Sequence, residues 1–589
     1  MTYKKLDHDG LELFIMGTKK YIDDLLDSEL TFEEYYKYLM KEFFEKRGSK
    51  TATPEQLTAI CDEWYMYIRP KWDGYTKFYH PDKSAVSTGI KGGDNLNMIC
   101  EPSTNTYKGR DDYADNPLFI PTDCNWEMSS NGEPLITSID GISCAIPFVR
   151  NDPNKFVGVL QMTGYHWWTE LSADDNYYYE GYCSRYTSKH GMNIEALPEA
   201  VIHEDVDVTN RTLLESISNG SRCNVRSWVL HSKYMSDLTS NNTMTSYSGG
   251  PTRTYVFSHN TSHTYANNTS VTHGQSYTYS GSTICDNAFL ILMMRIKYAS
   301  LTMDNIIKGC VNYSFQYAAV VSETNTKRVI ISAANAENII IGSTMLVGTY
   351  QGGINRGTST SYNISGQSGF VVTGKVYVGD NVAIVFNNAP NTFTSTGNTT
   401  ATTNGTTYIS SFPWYTGSCD NILGNDGSPF NCVSGTDPAK LQGIEYMIGA
   451  YEVFADVILN LYQSGSEYYY QPYIVHSVAN QAESITSNYV ASGLTIVQPA
   501  TTGWNYIVHI GYKNGIYFPT RVGGSSTTYT CDAFYMSSKT TGIMQYPSYA
   551  MLWDNYYAGI SCLYCSNSID YWNFATRLSC NGNKGVYIH

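Results

Sequence analysis

The sequence predicts an α+β, multidomain protein: N-terminal helices, a β-rich middle, and a C-terminal domain that mixes both. Three observations carry this. At 589 residues the chain is too long for one ordinary core. Apolar residues recur at helical spacing near the N-terminus and again from Cys285. Elsewhere, short β-branched and aromatic runs sit between Gly, Pro, Asn and Asp.

The first segment is residues 1–70, expected to be a helical attachment or oligomerisation unit. Leu11, Phe14, Ile15, Ile22, Leu25 and Leu26 form one apolar stripe. Thr31 and Glu34 make a capping box, followed by Tyr35, Leu39, Met40, Phe43 and Phe44. Thr53-Pro54-Glu55-Gln56 is a second start signal, and that helix should end near Ile68, before Pro70. A small bundle, a trimeric stalk and a plain cap on the next domain all fit.

Residues 71–234 read as a β-rich domain with short strands, among them Phe156–Leu160, and a hairpin turn at Asn131-Gly132. His203-Glu204-Asp205-Val206-Asp207 alternates with period two and reads as a solvated edge strand rather than a metal cluster. His166-Trp167-Trp168 suits either sugar stacking or core. Residues 235–282 are Ser, Thr, Asn, Tyr and Gly, a polar linker or ordered loop.

Residues 283–589 form the last predicted domain. Two helices are expected, over about 286–299 and 301–309, the first a Met-rich core helix. Residues 327–411 alternate as strands and read as a small barrel or sandwich inserted in this domain. A helix is expected over Leu441–Tyr462.

Composition excludes several classes. Only 15% of residues are charged, 51 are Tyr, and the net charge is −15. Disordered chains are charged and poor in aromatics, and nucleic-acid binders need a basic surface. No apolar run is long enough to cross a bilayer, and no signal peptide is apparent, so neither membrane insertion nor export is expected. Of 14 cysteines, only Cys562 and Cys565 stand in C-x-x-C spacing, with no second pair to complete a zinc site. Buried packing is their expected role. There is no phosphate loop, G-x-S-x-G elbow or H-E-x-x-H helix. No catalysis, cofactor or metal site is expected.

The informative stretch is 553–583, WDNYYAGISCLYCSNSIDYWNFATRLSCNGN. Its Tyr, Asn, Ser and Asp are the palette of binding loops, where Tyr gives rigid contact area and short polar groups give adaptable hydrogen bonds. Ala558-Gly559, Trp572-Asn573 and Arg577-Leu578-Ser579 resemble the variable region of proteins diversified by diversity-generating retroelements in bacteria and phages. Leu441-Gln442-Gly443-Ile444-Glu445 with Gly449 and Asp456, and Val522-Gly523-Gly524-Ser525-Ser526-Thr527-Thr528-Tyr529 with Cys531-Asp532, resemble two further motifs of that family. The family's GG-x-W turn is replaced here by Ser548–Trp553, without glycine. Asp9-Gly10-Leu11-Glu12-Leu13-Phe14 resembles the particle-attached start of phage tail proteins.

The resemblance implies a C-type-lectin-like domain of the formylglycine-generating-enzyme type in a phage tail receptor-binding protein. Such a protein would be made in the host cytoplasm, carried on the virion beside other tail proteins, and homotrimeric. Its partner would be a bacterial surface receptor, protein or glycan, and its terminal region would be open to diversification by a retroelement. The family pattern assigns ligand contact to Asp554, Tyr556, Tyr557, Ser561, Tyr564, Ser566, Ser568, Asp570, Tyr571 and Asn573. It assigns fold-holding roles to Gly443, Glu445, Gly559, Trp572 and Arg577. The alternatives are a tail-associated polysaccharide depolymerase and a purely structural virion protein.

Overall fold

The computed structural model describes residues 31–39, 52–169, 176–201, 225–349, 369–420 and 433–580. Positions 105, 131, 192, 305, 388, 399–404, 476, 545–546, 549–553, 556 and 566–572 are excepted. Strand dominates, at 37% of residues against 14% helix, in many small antiparallel sheets, with no closed barrel among the described residues. The α+β expectation is therefore corrected: this is a β-rich protein.

The second and third expected N-terminal helices form where their caps place them; the first lies outside the described residues. Helix α1 spans Phe32–Leu39, and the Glu34 carboxylate accepts from the Thr31 amide at 2.8 Å. Helix α2 spans Pro54–Tyr67 and starts on a capping box between Thr53 and Gln56. It lies on the strand Pro134–Ile139, where the Ile136 amide donates to Thr58 Oγ1 at 2.8 Å.

Among the described residues, 71–234 build a two-stranded ribbon, Cys100–Glu101 with Arg110–Asp111, and two larger antiparallel sheets. One has the order Ile194–Ala196, Tyr165–Thr169, Tyr177–Cys183, Asp73–Tyr79, Ile90–Gly93. The other runs Trp228–Ser232, Phe156–Met162, Thr122–Met128, Pro134–Ile139. The expected turn position Asn131 lies outside the described residues; the flanking strands pair as a hairpin, Met128 opposite Pro134. The His203–Asp207 cluster lies outside the described residues.

The polar stretch 235–282 is not a linker. It contains helix α3, His259–Thr272, started by a Ser258–Thr261 capping box, with Ser262, Ala266, Thr269 and Ser270 buried. The sequence hides this helix because its inner face is polar. Thr269 and Ser270 hydroxyls donate back to the Tyr265 and Ala266 carbonyls, at 2.9 and 3.2 Å.

Helix α4, Ile284–Tyr298, is the axis of the fold. It is buried from Ile284 to Lys297, as an all-round apolar helix must be. Its two buried cations are paired: Arg295 with Glu180 at 2.5 Å, Lys297 with Asp111 at 2.9 Å. The helix expected at 301–309 does not form. Ala299 turns left-handed, with φ of 51°, and the Leu301 amide then donates to Ser87 O at 2.9 Å. One hydrophobic cluster runs from Tyr35 through Trp228 and α4 to Cys580, so the N-terminal, middle and C-terminal segments share a core.

The strand-rich insertion packs on a second core, built on Val329, Ile331, Met345, Phe370 and Ile384, which Met235, Tyr313, Trp414 and Ile448 join from outside it. It is two small open sheets plus a two-stranded ribbon, with the short helix Ala333–Glu337 beside them. Leu441–Tyr462 is strand, not helix. Gln442 and Gly443 both have positive φ, 52° and 76°, which closes a tight hairpin between Ala439–Leu441 and Ile444–Tyr446. Tyr451–Val453 and Val457–Ser464 follow as strands. The apolar spacing suits either period, and the two consecutive left-handed residues decide it.

Candidate ligand-binding face

The C-terminal sheet has seven strands. In order they are Ile516–Val522, Gly503–Lys513, Ala533–Met536, Leu563–Tyr564, Pro547–Ser548, Tyr451–Val453 and Phe574–Ala575. Strand alternation divides its side chains. Phe534 and Leu563, paired across neighbouring strands, are buried. The next pairs, Trp504 with Tyr535 and Tyr535 with Tyr564, leave half-buried rings on the other face.

These rings form one row. Trp504 and Tyr535 meet edge-on at 5.4 Å, and Tyr535 stacks on Tyr564 at 5.1 Å. Tyr564 stacks in turn on Tyr451 at 5.1 Å, where the row passes under Leu346 and Phe412 of the insertion. At its open end Tyr557 lies parallel to Trp504, with centroids 4.9 Å apart and 5° between planes, and Tyr506 closes on Tyr557 at 5.6 Å. Rings held this way present fixed, partly wet aromatic surface at little entropic cost, which suits stacking on a ligand.

The ten residues assigned to contact divide three ways. Tyr557 and Tyr564 stand in the aromatic row, half-buried. Asp554, Ser561 and Asn573 are buried in their own chain, at 6%, 5% and 6% exposure. Asp554 Oδ1 accepts from Tyr451 Oη at 3.1 Å, the Ser561 amide donates to Asp532 Oδ2 at 2.9 Å, and the Asn573 carbonyl accepts from the Tyr451 amide at 2.8 Å. All three lie inside their own chain rather than on the exposed row: Asp554 is held there through its carboxylate, Ser561 and Asn573 through their backbone amide and carbonyl. Tyr556, Ser566, Ser568, Asp570 and Tyr571 lie outside the described residues, as does Trp572. Trp504, Tyr506 and Tyr535 were missed by sequence reasoning. Their signal was the period-two placement of Trp504 and Tyr506 within GWNYIVHIGYK.

Four fold-holding residues sit at the joints. Arg577 is buried, and its guanidinium donates to the Ser232, Lys233 and Glu445 carbonyls at 3.0, 2.9 and 2.9 Å and to Glu452 Oε1 at 3.0 Å. It thereby ties the terminal segment to the strand Trp228–Ser232 and to the Gly443 hairpin. Glu445 is buried there, and burial, with the Asp420 charge beside it, pushes its carboxyl up to about 8. Gly559 leaves no room for a side chain: an added Cβ would stand 1.8 Å from Asp532 Oδ1. Cys562 and Cys565 are buried free thiols.

A second concavity, of about 290 Å³, lies where the N-terminal sheet meets the C-terminal one. His80, Trp168, Tyr178, Tyr179, Arg295, His509 and Arg521 are among its lining residues. Of the H-W-W triplet, His166 and Trp167 are buried and only Trp168 reaches this cleft. Glu180 is held at its floor by Arg295, by Tyr517 and by His166 at 3.0 Å. Burial pushes the Glu180 carboxyl up, but the Arg295 charge, then His166 and Tyr517, outweigh it and hold it down to about 2. Burial, then the Arg295, Arg521 and His80 charges, lowers His509 to about 4, so it is neutral at pH 7. Among the described lining residues Glu180 is the one acid, and it is committed to Arg295. Glycoside hydrolysis uses two facing carboxyls, a pair this cleft does not bring together among the described residues.

Asp73, Cys183 and His190 offer ligand atoms close to one another, but Lys189 is already paired with Asp73. No helix of the described residues is long and apolar enough to cross a membrane. No protein-family model matches the sequence, and no curated protein matches it significantly.

Proposed function

We propose that the chain is a binding protein of the phage tail adhesin kind, carried on the virion, that grips a bacterial surface receptor through the aromatic row of its C-terminal sheet. One observation carries the reading: Trp504, Tyr535, Tyr557 and Tyr564 pack ring to ring in one row, stacked or edge-on, yet are only half-buried. A row that served packing alone would be covered, as its Tyr451 end is. The motif resemblance supports the same class, and the acidic surface turns the reading away from nucleic acid. In a homotrimer beside other tail proteins, several modest stacking contacts would add by multivalency rather than by any one tight pocket.

The test is the pair Trp504→Ala and Tyr557→Ala in the full chain, measured on immobilised bacterial cell-wall glycans and on whole cells. Buried aromatic anchors of an interface cost about 2 kcal/mol or more on truncation, so retention should fall roughly thirtyfold or more with the thermal transition still cooperative. Unchanged retention by a folded double variant overturns the reading.

A further inference from the structure

Three metal-ligand side chains converge beneath the first turn of α4. Glu199 comes from the turn Pro198–Ala200, His231 from the strand Trp228–Ser232, and Asp286 from α4 itself. Each offers one ligand atom, and these atoms all lie within 4.8 Å of one another. Glu199 and His231 are each 2% exposed, and Asp286 is also buried.

Neither carboxylate oxygen of Glu199 and neither ring nitrogen of His231 has a hydrogen-bond partner. Their closest approach, Nε2 to Oε1, is 3.7 Å, too long for a hydrogen bond. Arg226 is near, but it donates to the Glu199 backbone carbonyl at 3.4 Å and pairs with Glu133 instead. Among the described residues no lysine or arginine reaches the Glu199 carboxylate. Asp286 Oδ2 accepts from the Thr283 amide and hydroxyl, at 3.1 and 2.8 Å, and from Ser579 Oγ at 3.0 Å. Phe289 stacks on the His231 ring at 4.4 Å and fixes its plane.

A buried, unpaired carboxylate costs several kcal/mol, and protonation only replaces it with a hydroxyl donor that has nowhere to donate. An imidazole beside it with both nitrogens unpartnered doubles the difficulty. A dication resolves both at once.

We propose that Glu199, His231 and Asp286 bind a divalent transition-metal ion, with Zn²⁺ the fitting probe. One imidazole nitrogen and two carboxylate oxygens are a donor set that Zn²⁺ takes readily, leaving a fourth position. Ligand atoms about 2.0–2.1 Å from Zn²⁺ stand about 3.3 Å apart, so the cluster draws in by roughly an ångström on loading. The ion acts as a clasp. It pins the Pro198–Ala200 turn and the Trp228–Ser232 strand to α4, and through Ser579 to the terminal segment.

The full chain is purified, stripped with EDTA, checked for a cooperative thermal transition, and titrated with Zn²⁺. One equivalent should bind and raise Tm, and Co²⁺ in its place should give visible d–d bands. Second-shell changes at metal sites cost about 10–100-fold, so losing a ligand in Glu199→Gln or His231→Gln should cost more than about a hundredfold. Cys183→Ser, which removes a ligand from the Asp73 group, should leave the affinity unchanged. A stripped, folded wild-type chain that takes up no Zn²⁺ overturns the proposal, as does an affinity unmoved by Glu199→Gln. If His231→Gln does not fold, the Co²⁺ spectrum of the wild type and the Glu199→Gln titration still decide.

Discussion

The terminal stretch has two halves that share one palette and meet opposite fates. Asp554, Ser561 and Asn573 turn into the protein, while Tyr557 and Tyr564 stay at its rim. Short polar residues are cheap to bury where their backbone is paired, as at Ser561 and Asn573, or where a tyrosine hydroxyl meets the side chain, as at Asp554. Rings of this size, once the inner face is filled by Phe534 and Leu563, have only the outer face left. The difference teaches that a Tyr, Asn, Ser and Asp composition announces hydrogen bonding without saying toward which side. Strand alternation says that.

The inner half rests on Arg577, and breaking it there should have the largest effect. Arg577→Met leaves the buried Glu452 carboxylate without its cation and takes one donor from each of three buried carbonyls. Removing one partner of a buried pair costs about 3–5 kcal/mol, so the variant should unfold at much lower denaturant, read by tryptophan fluorescence. Survival of the wild-type midpoint would show that the terminal segment contributes little to the shared core.

A smaller break is Gly559→Ala. The new Cβ would stand 1.8 Å from Asp532 Oδ1, and Asp532 cannot retreat without releasing the Ser561 amide. Overpacking of this kind costs about 1–3 kcal/mol. The transition midpoint should fall less than for Arg577→Met, and glycan retention should fall with it, because Tyr557 leads into this turn and the strand carrying Tyr564 follows it. An unmoved midpoint would mean that the turn is looser than its geometry.

How much of this was legible depends on which signals were local. Thr53 with Gln56, and the apolar run of α4, lie within a few residues of each other and fold as they read. The Gly443 segment failed because its apolar spacing fits helix and strand alike, and the turn at Gln442 rests on a non-glycine residue with positive φ. Helix α3 failed because hydropathy cannot see a face built from hydroxyls. The aromatic row joins Trp504, Tyr535 and Tyr564 through cross-strand register, and the Glu199, His231 and Asp286 cluster joins three separate elements. No spacing along the chain joins either set, and the period-two placement of Trp504 and Tyr506 marks only one strand of the row.

A probe of the inner half that changes no packing is its protonation. Glu445 is buried beside Asp420, accepts from the Cys419 amide at 3.2 Å through Oε2, and has no partner on Oε1. Burial first, and then Asp420, raises its carboxyl to about 8 from an ordinary 4.5. The folded state thus holds a proton that the unfolded chain releases. Its stability is fullest below pH 4.5, falls as pH rises through the window up to about 8, and levels off above that. Glu445→Gln keeps the acceptor and removes the ionisation. The variant and the wild type should therefore have similar Tm near pH 5, and the variant should be the more stable at pH 8.5. Parallel Tm curves across that window would mean that Glu445 is already ionised in the fold, its charge answered by Lys233 and Arg577, and that the hairpin joint is electrostatic rather than a neutral hydrogen-bonded one.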